Sequence, residues 1–380
     1  MTIRIAFFAP LLATGGTQRH LQQILALLDR RRFEPVVVTL KPGGEIEGEL
    51  RAAGVPVMCL GMGTRLGAPS SVRGVLRGAR ALRRARVDVV HGYQWRPALI
   101  GTVVGRLAGA RLMLASKRSL TGDDSRARHA WRRIARRVDT VIVNADVLRN
   151  EGEAQGMRAR WMLLQNGVEV DHFDVGPPDP AARAALGLDR ERPVVATVGR
   201  LEGRKGQDVL VAATRPLLAT AGERPPQILI VGDGPLRNAL AAQARELGVA
   251  ASVHFAGTLA DVRPALAATD VFVLPSREEG MSNALMEAMA AARPVVATAV
   301  GGNPEVLAGG RLGRLVPPDD APALADAIRD LLADPAAAGG LGAAARAHAT
   351  AHWSAAAQVS RLEALYAERL AARGGRRRAA

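Results

Sequence analysis

Two carboxylates stand eight positions apart in SREEGMSNALMEAMAAARPVVA, residues 276–297: Glu279 and Glu287. No other residue ionises from Gly280 to Met286 or from Ala288 to Ala292, and the stretch 282–292 reads as a buried helix. A carboxylate buried there without donors is expensive. A ligand offering two neighbouring hydroxyls, such as a ribose, would satisfy Glu287; the alternative is a helix-start carboxylate capped by its own chain. A second pair is cationic. Arg200 and Lys205 flank a tight loop in VGRLEGRKGQDVLV. Two cations beside free backbone donors make a cradle for a diphosphate; the alternative is a pair of solvated loop charges. Gly15-Gly16 opens a helix whose free N–H groups and positive dipole end favour an anion, or else only turns the chain. His91 leaves an apolar run, where a lone histidine is either a packed core residue or, at a strand's carboxyl end, a ligand-facing one. Asp233, in VGDGP, reads as a helix cap rather than a catalyst.

The elements that must position these residues are legible as apolar runs. IRIAFFAP (3–10), FEPVVVTL (33–40), VDVVHG (87–92), ARLMLAS (110–116) and DTVIVN (139–144) form one set. RPVVATVGR (192–200), QILIVGDG (227–234), SVHFAGT (252–258), DVFVLPS (270–276) and RPVVATAVGG (293–302) form a second. Val and Ile runs without polar alternation are what parallel strands look like when both faces are covered. Strand–helix alternation predicts doubly wound α/β sheets, and two sets predict two such domains. In open sheets of this kind ligands bind at the carboxyl ends of the strands, where the residues above fall. The boundary is predicted in 167–180: Asn166-Gly167 signals a turn, and Pro177, Pro178 and Pro180 are expected to keep the next stretch from pairing or coiling. The expected domains are 1–170 and 171–353, followed by an amphipathic helix over 354–373 that packs back on the first domain and a disordered tail over 374–380.

The 380-residue chain, 48% hydrophobic, can build real cores. A single cysteine, Cys59, excludes a disulfide framework and suggests a reducing compartment. No apolar run reaches the length of a membrane-spanning helix, and the N-terminus lacks a basic leader and an Ala-x-Ala site, so it reads as a strand rather than a signal peptide. The formal charge of +15 points to anionic partners. Nucleic acid is disfavoured: aromatics are 3% of the chain, and neither a stacking array nor a zinc motif is present. GxGxxG does not follow the first strand, which argues against a dinucleotide oxidoreductase.

Taken in order, the stretches GGTQRHL (15–21), VVHGYQ (89–94), NGVEVDHF (166–173), VGRLEGRKGQDVLV (198–211), VGDGPLRNAL (231–240), FAGTLADV (255–262), ATDVFVLPSREEGMSNALMEAMAAARPVVAT (268–298) and GGNPEVL (301–307) resemble the family-4 retaining glycosyltransferases. The resemblance spans most of the chain and is most specific in the second half, where the Glu-x7-Glu spacing is the family's hallmark. It implies the GT-B fold: two facing Rossmann-like domains with the active site in the interdomain cleft. It implies a donor site in which Glu287 holds the nucleotide ribose, Glu279 meets the sugar hydroxyls, and Arg200 and Lys205 grip the diphosphate. Gly280, Met281, Ser282 and Asn283 would offer backbone donors, Gly15 and Gly16 would allow close approach of the first loop, and His91 would face the donor sugar near its anomeric carbon. One departure is evident: the family usually has glycine where Ala292 stands. If that position is left-handed, alanine costs on the order of 1 kcal/mol.

The implied reaction moves a hexosyl or N-acetylhexosaminyl group from a nucleoside diphosphate sugar to a hydroxyl acceptor, with retention. No Asp-x-Asp metal site is evident, so catalysis is expected to need no metal or other cofactor, with Arg200, Lys205 and a helix dipole stabilising the departing diphosphate. Same-face substitution is expected, the leaving phosphate oxygen taking the acceptor proton. UDP is favoured as the base carrier from the family's commonest habit. The competing reading is a protein that binds nucleotide sugars without transferring them. Two basic segments in the first half, SVRGVLRGARALRRAR (71–86) and RARHAWRRIARRVDT (126–140), have helical spacing of arginines. Such helices lie on anionic lipid or else pack on their own sheet with arginines in water. The expectation is a bacterial, cytoplasmic enzyme, peripheral on the inner face of the plasma membrane, acting on a lipid-linked or cell-envelope glycan.

Overall fold

In a computed structural model, residues 2–13, 15–63, 68–122, 124–220 and 222–378 are described, with side chains as far as Arg373. The chain divides into two units: Met1–Gly167 with Ala355–Ala380, and Val168–Ser354. It passes from one to the other twice, at residues 167/168 and 354/355.

The first unit is built on a parallel sheet of seven strands: β1 Ile3–Ala9, β2 Phe33–Thr39, β3 Val57–Cys59, β4 Val89–Tyr93, β5 Leu112–Lys117, β6 Thr140–Val143 and β7 Trp161–Leu163. Their order is β3-β2-β1-β4-β5-β6-β7. The second unit has six: β8 Val194–Val198, β9 Gln227–Val231, β10 Val253–Gly257, β11 Val271–Leu274, β12 Val295–Thr298 and β13 Arg314–Val316, in the order β10-β9-β8-β11-β12-β13. Both are Rossmann-like doubly wound sheets, and each reverses its winding once, at β1/β4 and at β8/β11. Both faces of the central strands are covered, so Ile5, Phe7, Val195 and Val271 are buried without alternation.

Ten strands fall on the apolar runs; β3, β7 and β13 do not. Each of these three spans three residues and sits at or next to a sheet edge. Their pairing is set by the neighbouring strand rather than by their own pattern. The prolines after Gly167 do not prevent coiling. A 3-10 turn forms at Val170–Phe173, and a helix, Pro180–Ala185, starts at Pro180 itself. Proline fits the first helical position because its missing N–H has no intrahelical partner there, and Asp179 caps the helix by accepting from the Ala181 N–H at 2.8 Å.

The last helix, Ala355–Arg378, belongs to the first unit, where Leu362, Leu365, Tyr366 and Leu370 join the core that holds Phe33 and Ile24. It runs beyond residue 373. The tail expected over 374–380 lies outside the residues whose side chains are described. Among the described residues no helix is long and apolar enough to cross a membrane.

Candidate functional site

In the second unit the loops after β8 and β11 leave the sheet at its reversal point. Residues 74 apart in sequence meet there: Lys205 Nζ donates to Glu279 Oε1 at 2.6 Å. The same oxygen accepts from the Ser276 hydroxyl at 2.7 Å. Glu279 is 8% exposed and so almost wholly withdrawn from water. The close approach of the loops depends on backbone without a side chain. Gly206 has φ +65°, and a Cβ there would lie 2.0 Å from the Pro275 carbonyl oxygen. Gly301 has φ +54°, and a Cβ there would lie 1.9 Å from the Glu279 carbonyl oxygen.

The residue that ties these loops together was not apparent from the sequence. Arg277 spans both carboxylate oxygens of Asp208, at 2.8 and 2.6 Å, and also reaches Asp319 and the Gly203 carbonyl. Asp208 is the largest cause of a raised Arg277 pKa. The Arg204 carbonyl accepts from the Arg277 N–H at 2.8 Å, so side chain and backbone fasten the same turn. Only the position of Arg277, two residues before Glu279, signalled it. Arg200 lies on the same loop and is exposed, while Lys205 is half-buried.

The helix Asn283–Ala290 follows, capped by the Ser282 hydroxyl, which accepts from the Leu285 N–H at 3.4 Å. Its inner face, with Leu285, Met286, Ala288 and Met289, is buried. Asn283 and Glu287, one turn apart, are half-buried on the other face. Gly280, Met281 and Ser282 are buried where the loop enters the helix. Ala292 closes it with φ +56°. Its N–H bonds the Met289 carbonyl at 3.0 Å, and the Arg293 N–H bonds that of Ala288 at 2.9 Å, which is the Schellman pattern. Asp233 does not cap a helix: its carboxylate accepts from the Gly234 N–H at 2.7 Å and shapes the turn, and the next helix starts beyond Leu236.

In the first unit, Gly15 and Gly16 begin the helix Gly16–Leu27 beyond β1, with Gly15 in extended backbone. His91 stands two residues before the end of β4. It lies inside β4, 1% exposed, with Nδ1 2.7 Å from the Tyr366 hydroxyl and Nε2 2.7 Å from the Ser116 hydroxyl. Burial first, and the Arg118 charge second, push its pKa down to about 3, so the ring is neutral at physiological pH. In this arrangement its two ring nitrogens join β4 to β5 and to the last helix. The alternation of β4 turns its side chain inward, and the last helix, invisible to local pattern, closes over it.

Beyond β4 and β5 there is a cavity of about 190 Å³, lined among others by Gln94, Trp95, Arg118, Thr121, Asp124 and Trp131. Gln94 has φ 65° and ψ 165°, a region that is essentially glycine's alone. Burial lowers the Arg118 pKa to about 10, leaving the group charged at neutral pH. Beneath the cavity loop, the fully buried Lys117 side chain pairs with Glu151, whose Oε1 accepts from the Thr121 N–H at 2.8 Å. Polar groups, two indoles and a strained residue are thus held in place at the carboxyl ends of neighbouring strands. Of these, Gln94 and Trp131 fall within the stretches 89–94 and 126–140 read from the sequence, but neither was assigned to a site.

Residues 15–167 match the model described as glycosyl transferase 4-like domain, and residues 192–334 match that of glycosyl transferases group 1. A GDP-mannose-dependent alpha-(1-6)-phosphatidylinositol monomannoside mannosyltransferase of Mycolicibacterium smegmatis is 38% identical over 293 residues, covering 73% of this chain and 75% of the relative. The protein of the same description from Mycobacterium tuberculosis is 33% identical over 358 residues, 89% and 91% of the two chains. Among solved structures, Anabaena Alr3699/HepE in complex with UDP superposes with a TM-score of 0.83 at 22% identity, covering 97% of this chain and 100% of that one. Two Rossmann-like sheets, the Glu-x7-Glu helix and these matches together place the chain: it belongs to the group 1, family-4-like glycosyltransferases of GT-B fold.

Proposed function

We propose that this glycosyltransferase moves a hexose from a nucleoside diphosphate sugar to a hydroxyl of a lipid-linked acceptor, with retention and without a divalent metal. The contact of Lys205 with Glu279 at the reversal point of the second sheet carries the reading. It puts a cation and a carboxylate where a doubly wound sheet binds its ligand. Lys205 and Arg200 would take the diphosphate, and Glu287 the ribose, from one loop and the following helix. Glu279, held by Lys205 and Ser276, would orient the sugar hydroxyls rather than attack the anomeric carbon. The leaving phosphate oxygen would receive the acceptor proton on the same face.

For the donor we propose GDP-mannose ahead of the UDP sugar expected from family habit. The support is the activity of the mycobacterial relatives, which are GDP-mannose-dependent. Their acceptor, a phosphatidylinositol monomannoside, is the first to test. The cavity beside Arg118 and Trp95 is proposed to hold the polar headgroup, its guanidinium suiting a phosphate and its indoles a ring face.

The experiment is a thermal-shift and transfer panel of GDP-mannose, UDP-glucose and UDP-N-acetylglucosamine with wild type, Lys205→Ala and Glu287→Ala. Stabilisation and transfer with GDP-mannose, lost in both variants, is expected. No response to any nucleotide sugar, or an undiminished response in the variants, would overturn the site. Stabilisation without transfer to any lipid glycoside would favour a binding protein. Activity that disappears with EDTA and returns with Mg²⁺ or Mn²⁺ would overturn metal independence.

A further inference from the structure

The strand β4 passes into the helix Trp95–Ala108 with a single residue, Gln94, between them. The turn is that short because Gly92 lets the helix press on the strand: a Cβ there would lie 2.3 Å from the Ala98 Cα. Both backbone groups of Gln94 are committed. Its N–H continues the ladder to the Ser116 carbonyl at 2.9 Å, and its carbonyl accepts the first helical bond, from the Ala98 N–H at 3.0 Å. These bonds hold φ at 65° and ψ at 165°, where a residue with a Cβ is strained and glycine is not. Among the described residues sixteen glycines but only five other residues have positive φ. Glycine is this chain's usual answer to such a backbone, and a glutamine stands here instead.

The glutamine side chain makes no cap bond to the helix it precedes, and the residue is half-buried on the wall of the cavity of about 190 Å³. The wall around it is polar and fixed. The Thr121 hydroxyl oxygen is buried and has no partner among the described residues, while the Thr121 N–H is held by Glu151 at 2.8 Å. The Asp124 carboxylate is engaged by the N–H groups of Arg126 and Ala127, at 2.9 and 3.0 Å. Arg118 supplies the positive charge of the wall. Arg96 lies over the Trp95 ring at 5.6 Å and steadies that indole.

We propose that Gln94 is a specificity-determining residue for the acceptor: its side-chain amide hydrogen-bonds the hydroxyls of a phosphate-bearing polyol headgroup whose phosphate lies on Arg118. An amide both donates and accepts, which matches a hydroxyl with one proton and two lone pairs. A site built to bond a hydroxyl rejects the analogue that lacks it. Backbone strain kept beside a cavity is stability given up for the position of a side chain. The inference rests on the reading of this cavity as the acceptor site and adds to it the residue that selects the headgroup.

The test joins stability to kinetics on the full chain, with GDP-mannose as donor and phosphatidylinositol monomannoside as acceptor. Gln94→Gly should raise the melting temperature by about 1–4 °C, because it relieves the strain. It should also raise the acceptor KM roughly fivefold, because it removes the amide. Gln94→Ala, which keeps the strain, should show the same KM without the gain in melting temperature. Gln94→Glu, alike in shape but unable to donate and repelled by the phosphate, should raise the acceptor KM at least about tenfold. In all three, kcat should stay within about twofold of wild type, and the KM for GDP-mannose should not move, since the donor groups lie on the second unit. A purely structural residue would move stability and activity in the same direction. A Gln94→Gly protein that melts below wild type, or an acceptor KM unchanged in Gln94→Gly and Gln94→Ala, would overturn the proposal. Arg118→Gln separates the two readings. If it raises the acceptor KM and the Gln94 variants do not, only the role of Gln94 falls; if it also leaves that KM unchanged, the acceptor reading of the cavity falls with it. A wild type that transfers to no phosphoinositol glycoside would overturn both.

Discussion

Replacing Ala292 by glycine should stabilise the second unit, although it removes a methyl group from a half-buried position. Ala292 is the left-handed residue of a Schellman cap, with φ +56°. An L-residue with a Cβ in that conformation costs about 1–2 kcal/mol relative to glycine. Against this, glycine widens the unfolded ensemble at a cost of about 0.4–1 kcal/mol, and the lost methyl contributes under about 0.5 kcal/mol. The net gain is about 0.5 kcal/mol, which for a unit the size of Val168–Ser354 raises the melting temperature by about 1–2 °C. Valine is the sharper comparison, because a β-branched side chain in the left-handed region is a genuine outlier. Ala292→Val should fall below wild type by at least about 1 kcal/mol. The assay is calorimetry on the three proteins in one buffer. The order glycine, alanine, valine is required; glycine at or below wild type would refute the account of this cap. Nucleotide affinity should stay within about twofold of wild type (a shift of about 0.4 kcal/mol), because Glu287 lies one turn before the cap.

Gly206→Ala should lower stability by at least about 1–3 kcal/mol, since its Cβ would lie 2.0 Å from the Pro275 carbonyl oxygen and its φ is +65°; a melt within 1 °C or so of wild type would contradict the close loop approach. Lys205→Met should destabilise by about 3 kcal/mol by leaving Glu279 buried with Ser276 alone, and Lys205→Met/Glu279→Gln should recover part of that loss. Additive single effects in urea unfolding would show that the pair does not couple. Acid should destabilise the first unit through His91. Its folded pKa of about 3 lies below the ordinary histidine value, so the unfolded chain binds the proton more readily. Stability is therefore full above about pH 6.5 and falls toward pH 3 by up to roughly 1.4 kcal/mol per pH unit. His20, in the same unit, is also pushed down by burial and adds to that slope; His91→Gln should lessen it in urea melts taken across the range, and an unchanged slope would exclude His91 as a source.

The fold was legible where the physics is local. β1, β2, β4, β5 and β6, like β8 to β12, carry apolar residues toward both faces, and only strands covered on both sides need them. The candidate donor residues were legible as anomalies: a carboxylate at 287 in an otherwise apolar stretch and two cations around a turn. The three-residue strands were not, because their pairing is lent by neighbours. The same holds for every interaction between distant parts of the chain. That Glu279 meets Lys205, that Arg277 binds Asp208, and that His91 is closed in by Tyr366 follow from sheet winding and from the return of the last helix. The arginines of Pro69–Arg84 follow helical spacing, but that spacing does not say which face the core takes; packing buries Gly74 and Gly78 against Leu60 together with Ala79 and Leu82, and leaves Val72 and Leu76 exposed. By itself the sequence determined ten of the thirteen strands, the loops that carry the candidate groups and the chemistry available to those groups. Which of those groups touch, and which face water, only the tertiary structure decided, since burial and contact at long sequence separation depend on how the elements pack.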